Sequence, residues 1–359
     1  MMSPQLEDIV RKVRSDERIA PAEALVLWHE APLWLLGELA ARRKERVSGD
    51  KVYFNRNFHI EPTNLCVFNC NFCSYRRPKG SPEAWDYSLE EVERIARDHA
   101  GQGLTEVHIV GGVHPEHDLY YYVEMIRRVK AILPEATVKA FTAIELSYMI
   151  RRAGLSLEEG LRRLREAGME ASPGGGAEIF DEEIRARICP DKGSTAEWLA
   201  VHEAAHRLGI KTNATILYGH IEGVEHRIDH LDRLRALQDR TGGFNAFIPL
   251  KYRNYGNAMS EVGEVSVIED LRMLAMSRIY LDNIPHVKAY WVMYGKATTE
   301  LALAFGADDI DGTIDDTTKI YSMAGADDRR PRMTADEMRT IVRHAGLRAV
   351  ERDTLYNEL

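Results

Sequence analysis

Eight short apolar runs alternate with amphipathic helical segments between residues 58 and 312, and this alternation constrains the fold more than any other feature. The predicted strands are Phe58–Glu61, Glu106–Val110, Thr137–Ala140, Met169–Ala171, Lys211–Ile216, Phe244–Phe247, His286–Tyr290 and Asp308–Gly312. Strands that alternate with helices form parallel sheets, and eight such units close into a barrel. We therefore predict an α/β fold, a (β/α)8 barrel of the TIM type.

Capping signals mark where the helices begin. Ser88, Ser156 and Thr334 each precede a glutamate by three residues, the spacing of a capping box. The periodicity of residues 3–48 is helical throughout. We predict an N-terminal helical extension over residues 1–50, the barrel over 51–330, and a C-terminal helix and tail packed on the barrel over 331–359.

Charge and hydropathy exclude several classes of partner. The 359 residues carry a net charge of -9, whereas a nucleic-acid-binding surface needs clustered basic residues. No run of about 18 apolar residues occurs, and the N-terminus lacks the basic and apolar segments of a secretory signal. We expect a cytoplasmic protein that acts on a small molecule, without a nucleic-acid or membrane partner.

Three of the four cysteines lie within eight residues, in "CVFNCNFC". Cys66, Cys70 and Cys73 directly follow the first predicted strand, where a barrel places its active-site loops. A structural zinc ion is normally bound by four protein ligands with no open position. Here the fourth cysteine, Cys189, is distant in sequence and no histidine lies within the motif. Three thiolates on a 4Fe–4S cluster leave one iron open for a substrate or cofactor. Structural zinc and a chance cluster remain the alternatives.

The "CVFNCNFC" motif resembles the C-x3-C-x2-C motif of radical S-adenosylmethionine (SAM) enzymes. The resemblance implies a radical SAM barrel in which Cys66, Cys70 and Cys73 hold a 4Fe–4S cluster and the open iron binds the amino and carboxylate groups of SAM. An electron from the cluster would then cleave SAM to methionine and a 5'-deoxyadenosyl radical.

The resemblance also implies residues of the SAM pocket. Gly111-Gly112 matches a glycine-rich turn whose backbone accepts hydrogen bonds from the SAM ammonium, and Glu145 corresponds to a residue that binds the ribose hydroxyls. Taken alone, the glycines fit a plain turn and Glu145 fits a helix start. The candidate SAM-binding residues are Phe72, Tyr75, Gly111, Gly112, Glu145 and Ser172.

Longer segments narrow the resemblance to one branch of the superfamily. The segments "NFHIEPTNLCVFNCNFCSY" and "FIPLKYRNYGN" are similar to the branch with the futalosine-pathway and deazaflavin enzymes. Within that branch, "FNRNFHIEPTN" and "GTIDDTTKIYSMAGA" are most similar to the aminofutalosine synthases. This implies that the adenosyl radical adds to 3-[(1-carboxyvinyl)oxy]benzoate. Aryl migration and loss of bicarbonate then give 6-amino-6-deoxyfutalosine for menaquinone biosynthesis. A flavodoxin or ferredoxin would be the reducing partner.

Such a substrate carries two carboxylates, so the barrel mouth should contain cations. Arginine offers a carboxylate bidentate geometry. Glu222 is a candidate proton acceptor or the partner of a cation, and each cation alone also fits a surface salt bridge. The candidate substrate residues are Arg56, His220, Glu222, Lys251 and Arg253.

Several alternatives remain open from the sequence. A cyclic dehypoxanthine futalosine synthase and a deazaflavin-forming radical SAM enzyme would share the cysteine motif. An iron–sulfur electron carrier, or a binding protein with structural zinc, is the non-enzyme alternative, although neither needs an adenosyl pocket. His114 and His117 form an HxxH pair, which we interpret as part of a loop rather than a second metal site.

Overall fold

The computed structural model describes residues 2–359. The helices are α1 (Pro4–Arg14), α2 (Pro21–Glu30), α3 (Leu33–Ser48), α4 (Leu89–Asp98), α5 (Leu119–Ile132), α6 (Ala143–Arg152), α7 (Leu157–Ala167), α8 (Glu182–Ile188), α9 (Thr195–Arg207), α10 (Val224–Thr241), α11 (Val267–Tyr280), α12 (Trp291–Tyr294), α13 (Lys296–Ala302), α14 (Ile320–Met323) and α15 (Ala335–His344), with a 3-10 turn at Leu303–Phe305. The strands are β1 (Lys51–Asn55), β2 (Asn57–Ile60), β3 (Glu106–Ile109), β4 (Thr137–Ala140), β5 (Met169–Ser172), β6 (Lys211–Tyr218), β7 (Phe244–Lys251), β8 (His286–Val287), β9 (Asp309–Gly312) and β10 (Arg348–Glu351).

Seven parallel strands, β2 to β8, form a curled sheet in sequence order. Strand β9 continues the curl through a bridge between Lys288 and Asp309, and Thr313 beyond β9 hydrogen-bonds the backbone of Asn57 in β2. The predicted α/β barrel of eight strands is therefore confirmed, with the eighth strand held more loosely than the others. Strands β1 and β10 were not predicted, and they form a second parallel sheet with β9.

Alternate residues of the barrel strands face the lumen and the surrounding helices. Phe58 and Val107 are fully buried under the helical layer, and the Phe58 ring stacks on His99 with centroids 4.1 Å apart. His59 and His108 have the opposite orientation and face each other in register across β2 and β3. The lumen therefore receives polar side chains, while the helical layer receives apolar ones.

The terminal segments pack against the barrel. The N-terminal residues form helices α1 to α3, and α3 packs against α11. Arg272 of α11 donates hydrogen bonds to the carbonyls of Trp28 and Ala31 at the end of α2. At the other terminus, Arg352 after β10 pairs with the buried Asp309 at 2.5 Å.

Helix starts follow the predicted capping signals. Ser88 and Thr334 form complete capping boxes with Glu91 and Glu337. Ser156 caps α7 through the Glu159 amide alone. None of the helices in residues 2–359 has the length and apolar character needed to cross a membrane.

Candidate active site

A cavity of about 290 Å³ lies at the carboxyl ends of the barrel strands. Its wall has three parts. The cluster loop, residues 61–88, contributes Phe72, Cys73, Ser74 and Tyr75. An apolar belt consists of Val110, Leu217, Ile248 and Leu250, and a polar floor consists of His59, His108, Lys139, Lys288 and Asp311.

The three cysteines of the cluster loop suit a cluster better than a single metal ion. In residues 2–359 their sulfurs do not form a group within 4.8 Å of one another. A tetrahedral zinc site with bonds of about 2.3 Å would hold its sulfurs about 3.8 Å apart. Cys66, Cys70 and Cys73 are all partly exposed and unbridged. The donor set therefore fits a 4Fe–4S cluster with one open iron.

The electrostatics of the loop favour a bound cationic centre. Burial raises the pKa of the Cys66 and Cys73 thiols, and the neighbouring Cys189 thiol together with burial raises that of Cys70. Thiolates at these positions therefore need positive charge nearby. Lys192 supplies one such charge, because it partly offsets the rise in the pKa of all three thiols; its ammonium lies 5.6 Å from the centre of the Phe72 ring.

The Gly111-Gly112 turn supports the cluster loop directly. A Cβ on Gly112 would lie 2.2 Å from the Leu65 carbonyl oxygen, and one on Gly111 would lie 2.8 Å from that of Thr63. The Gly112 amide also donates to the Thr63 carbonyl at 2.7 Å. Glycine is needed here because two backbones are in contact. Gly111 lines the cavity, whereas Gly112 lies behind it under the loop.

Glu145 lies beside this turn. Its carboxylate accepts hydrogen bonds from the Gly111 amide at 3.1 Å and the Thr142 amide at 2.8 Å, and burial raises its pKa to about 7. Glu145 does not itself line the cavity, but it fixes Gly111, which does. Tyr75 is buried at the cavity wall, with its hydroxyl donating to the Thr63 carbonyl at 3.2 Å.

Ser172 is placed differently from the other predicted SAM-binding residues. Its hydroxyl donates to the Phe141 carbonyl at 2.8 Å, and the side chain is buried outside the cavity lining. The residues that follow it reach the cavity instead, namely Pro173, Gly175 and Gly176. Ser172 therefore fixes the end of β5 against β4.

Lys251 ends β7 and Arg253 follows it, and both line the cavity; this part of the wall is called the rim. The Lys251 ammonium lies 3.0 Å from the buried Asp270 carboxylate. Arg253 donates to the Gly325 carbonyl at 2.8 Å and lies 3.3 Å from Glu264. Their partner carboxylates are outside the cavity lining, so both cations face the cavity with donors to spare.

Arg56 does not lie at the barrel mouth, and that expectation is wrong. It precedes β2, at the end of the strand opposite to the cluster loop, and pairs with Glu351 at 2.7 Å. A position before a strand differs from one after it by the length of the barrel. Arg56 therefore supports the contact between β2 and the C-terminal strand.

His220 and Glu222 follow β6 at the correct end, but their side chains turn into their own loop. Glu222 accepts hydrogen bonds from the Gly219 and His220 amides and from Arg227, at 2.7 to 2.9 Å. The His220 ring bonds the Leu217 carbonyl at 3.1 Å. Neither side chain lines the cavity. The structure therefore contradicts their placement at the substrate.

Sequence reasoning missed the polar floor, although a signal existed. In "NFHI", "EVHI" and "TVKA" the third residue of each strand is polar among apolar neighbours, giving His59, His108 and Lys139. These residues pair in register across three adjacent strands. It also missed Lys192 and its partner Glu178, which follow the glycine-rich segment after β5.

Backbone strain is concentrated around the same cavity. Phe141, Glu178 and Asp311 are non-glycine residues with positive φ of 61°, 50° and 70°, and Glu178 and Asp311 line the cavity. Such conformations cost about 1–3 kcal/mol each and are often kept at functional sites. The chain therefore maintains strained residues next to the cluster side and the floor.

Asp86, His114 and His117 bring candidate ligand atoms within 4.8 Å of one another. The Nδ1 atom of His114 accepts hydrogen bonds from the backbone amides of Glu116 and His117, both at 3.1 Å. The ring proton is therefore on Nε2, which donates to the Asp86 carboxylate. That tautomer has no free lone pair for a metal. Through these bonds His114 fixes the loop between β3 and α5.

Comparison with known proteins decides the family. The model of the radical SAM superfamily matches residues 60–234, and that of the CofH/MqnC C-terminal region matches residues 241–359. Aminodeoxyfutalosine synthase of Thermus thermophilus is 42% identical over 99% of this chain and 96% of its own length. This chain belongs to the radical SAM superfamily.

Two further comparisons place this radical SAM enzyme among its relatives. Cyclic dehypoxanthine futalosine synthase of Streptomyces coelicolor is 36% identical over 99% of this chain and 89% of its own length. The crystal structure of methylornithine synthase superposes with a TM-score of 0.75 at 18% identity, covering 95% of this chain and 97% of that one. The latter likeness confirms the radical SAM fold.

The cofactors follow from membership of this family. Radical SAM enzymes use a 4Fe–4S cluster and SAM, and the donor set of Cys66, Cys70 and Cys73 fits the cluster. The region matched by the superfamily model supplies the cluster side of the cavity, and the C-terminal region supplies Lys251, Arg253 and Tyr290. The two matched regions thus share one active site.

Proposed function

We propose that the chain is an aminodeoxyfutalosine synthase, which joins the adenosyl group of SAM to 3-[(1-carboxyvinyl)oxy]benzoate and releases bicarbonate, giving 6-amino-6-deoxyfutalosine for menaquinone biosynthesis. Full-length similarity to the Thermus thermophilus enzyme supports this proposal, at 42% identity against 36% for the cyclic dehypoxanthine futalosine synthase. The cavity supports it too, because a cationic rim and a polar floor flank an apolar belt.

The charges at the cavity suit a dicarboxylate in an otherwise acidic protein. The lining contains Lys139, Lys192, Lys251, Arg253 and Lys288 but only two carboxylates, Glu178 and Asp311. The chain as a whole carries a net charge of -9. Buried cations with spare donors bind anions better than solvated ones, because the local dielectric constant is lower.

The chemistry of the reaction comes from the cofactors, and the chain supplies position. When bound by Cys66, Cys70 and Cys73, the cluster would supply the electron that cleaves SAM, and SAM would supply the adenosyl group that is joined to the vinyl carbon of the substrate. Phe72 and Tyr75 flank this end of the cavity, and Glu145 lies beside Gly111. Leu217 and Leu250, paired across β6 and β7, form an apolar wall without labile hydrogens bound to oxygen or nitrogen.

Exclusion of water matters because the radical would otherwise escape its target. Thr318 and Tyr321, from the segment after β9, cover the cavity, and the Thr318 hydroxyl donates to Glu61 of the cluster loop at 2.8 Å. The Lys319 amide donates to the same carboxylate at 3.0 Å. This contact holds the C-terminal region over the cluster loop and closes the site around the reactants.

The test is an anaerobic assay of the cluster-reconstituted protein with dithionite, SAM labelled with ¹³C in the adenosyl group, and 3-[(1-carboxyvinyl)oxy]benzoate. Mass spectrometry should find the label joined to the aryl carboxylate, with little free 5'-deoxyadenosine. Cys73→Ala is the matched inactive control. Formation of labelled 5'-deoxyadenosine and unlabelled methionine, without an adduct, would contradict the proposal and favour the cyclic dehypoxanthine futalosine synthase reaction.

The cellular setting completes the proposal. We expect a cytoplasmic enzyme reduced by a flavodoxin or ferredoxin, with no nucleic-acid or membrane partner. The acidic composition supports the expectation that nucleic acid is not a partner. Reduction of the cluster by a purified flavodoxin, followed by its visible absorbance, tests the choice of electron donor.

A further inference from the structure

The polar floor contains a buried histidine that has no hydrogen-bond partner. His59 is 5% exposed and lines the cavity, and neither of its ring nitrogens has a hydrogen-bond partner among the described residues. Leaving a buried polar group unsatisfied costs about 1–3 kcal/mol, so it points to a ligand that completes it. The His108 ring lies beside it, with centroids 4.4 Å apart.

The neighbours of His59 define the charge of that ligand. His59, His108 and Lys139 pair in register across β2, β3 and β4, and all three line the cavity. Lys139 pairs with Glu106, and Lys288 with Asp311, so each ammonium is neutralised from one side and keeps other N–H groups for the cavity. The single carboxylate of the floor, Asp311, is already engaged. The floor therefore offers donors, and an anionic acceptor fits it.

The imidazoles act as neutral donors. Burial lowers the pKa of His59 to about 4 and lowers that of His108 well below its ordinary value. A neutral imidazole carries one N–H, so the pair can offer two donors to the two oxygens of one carboxylate. Hydrogen bonds to a charged acceptor are stronger than those to a neutral one.

The positions of the cluster loop, the apolar belt and the polar floor indicate which of the two substrate carboxylates binds at the floor. The vinyl carbon must approach the adenosyl group, at the end of the cavity formed by the cluster loop. The apolar belt next to the floor, including Val110, Ile248 and Leu250, suits an aromatic ring. The group that projects from that ring, on the side away from the vinyl ether, then reaches the floor.

We propose that His59 and His108, supported by Lys139 and Lys288, bind the aryl carboxylate of the substrate and so position its vinyl group towards the cluster loop. This inference rests on the proposed function for the identity of the substrate. It assigns the carboxylate of the vinyl ether to the rim, where Lys251 and Arg253 lie.

The test pairs each variant with a truncated substrate. The truncated substrate is 2-phenoxyacrylate, which lacks the aryl carboxylate. The kcat/KM of the wild-type holoenzyme for it should be about 10- to 100-fold lower than for the parent compound, because one or two charged hydrogen bonds are missing. In His59→Ala and His108→Ala this discrimination should shrink to within a few-fold. His59→Gln, which keeps an N–H donor, should restore part of it. A full wild-type discrimination in His59→Ala would overturn the proposal.

A binding measurement separates this inference from the proposed function. Titration of SAM-loaded holoenzyme with 3-hydroxybenzoate and with phenol should show that His59→Ala weakens only the carboxylate, by about 10- to 100-fold. The control is His202→Ala, a buried histidine that bonds Thr212 outside the cavity. Cluster absorbance and slow SAM cleavage without substrate must be retained in each variant. Equal binding by wild type and His59→Ala overturns the inference, whereas failure of the wild type to form the adenosyl adduct overturns the function alone.

Discussion

The two ends of the active-site cavity are built in different ways. At the cluster end, loops hold the site through backbone contacts, such as the Gly112 amide on the Thr63 carbonyl. At the floor, strands present side chains in register, as with His59 and His108. The loop end uses a motif that is continuous in sequence, whereas the floor exists only after the strands have paired. Chemistry common to the superfamily is thus separated from the residues that we propose select the substrate.

The largest effect should come from removing a cluster ligand. Alanine at Cys66, Cys70 or Cys73 takes away one of three thiolates, so we expect loss of the cluster and of all product formation. Iron and sulfide content and the visible spectrum measure this directly. Cys189→Ala is the comparison, because the Cys189 thiol lies outside the motif but contacts Cys70, so full cluster content in this variant shows that three thiolates suffice. Normal cluster content in a Cys73→Ala protein would refute the assignment.

Gly112→Ala should give the next largest effect. The new Cβ would overlap the Leu65 carbonyl at 2.2 Å, so the cluster loop must move. Overpacking of this kind costs about 1–3 kcal/mol, and the displaced loop should hold less iron. Thermal unfolding and iron content report the two consequences. Gly263→Ala serves as the control, since nothing lies within 4 Å of its Cβ position, and equal behaviour of the two variants would disprove the close contact.

Glu222→Gln should change stability without changing substrate binding. Burial alone would raise the pKa of Glu222, but His220 and Arg227 outweigh it and lower the pKa to about 2. A carboxylate whose pKa is lowered in the folded state stabilises the fold at any pH above its pKa in the unfolded chain. This contribution disappears as the pH falls from about 4.5, the unfolded pKa, to about 2, the folded pKa. We expect a loss of about 3 kcal/mol at pH 7.

Urea unfolding of wild type and Glu222→Gln at several pH values checks this prediction. The difference between them should be largest near neutral pH and should decrease as the pH falls below about 4.5. The KM for the substrate should stay the same, because Glu222 lies outside the cavity lining. A large rise in KM with unchanged stability would instead return Glu222 to the substrate site.

Arg56→Ala should have the smallest effect. Arg56 is 38% exposed and pairs with Glu351 away from the cavity, and such surface pairs contribute about 0–1 kcal/mol. Steady-state kinetics should show kcat and KM close to those of the wild type. Lys251→Ala is the comparison, because Lys251 lines the cavity and its loss should raise KM. A rise in KM for Arg56→Ala as large as that for Lys251→Ala would contradict the placement.

The sequence predicted the barrel because its strands have local signals. All eight predicted strands occur. Each could be recognised because its apolar run is flanked by an amphipathic helical segment. Strands β1 and β10 escaped prediction because β1 directly follows a helical segment and its partner lies far along the chain, with Lys51 opposite Arg348. Pairing over such a distance leaves no local pattern to read.

The site divides in the same way. Cys66, Cys70 and Cys73 are a contiguous motif, so their spacing alone indicated a cluster. The substrate cations had no such signal, and proximity to a strand was a poor guide. Arg56 lies before its strand, and His220 follows its strand but folds back onto Leu217. Side-chain direction in loops depends on tertiary contacts, which the sequence does not display.

The most direct measurement is an anaerobic crystal structure of the reconstituted protein with SAM and 3-[(1-carboxyvinyl)oxy]benzoate. The account predicts the aryl carboxylate within hydrogen-bond distance of His59 and His108, the ring against Leu250 and Ile248, and the vinyl carbon facing the adenosyl group. An aryl carboxylate bound at Arg253, with the His59 ring still unpartnered, would contradict it.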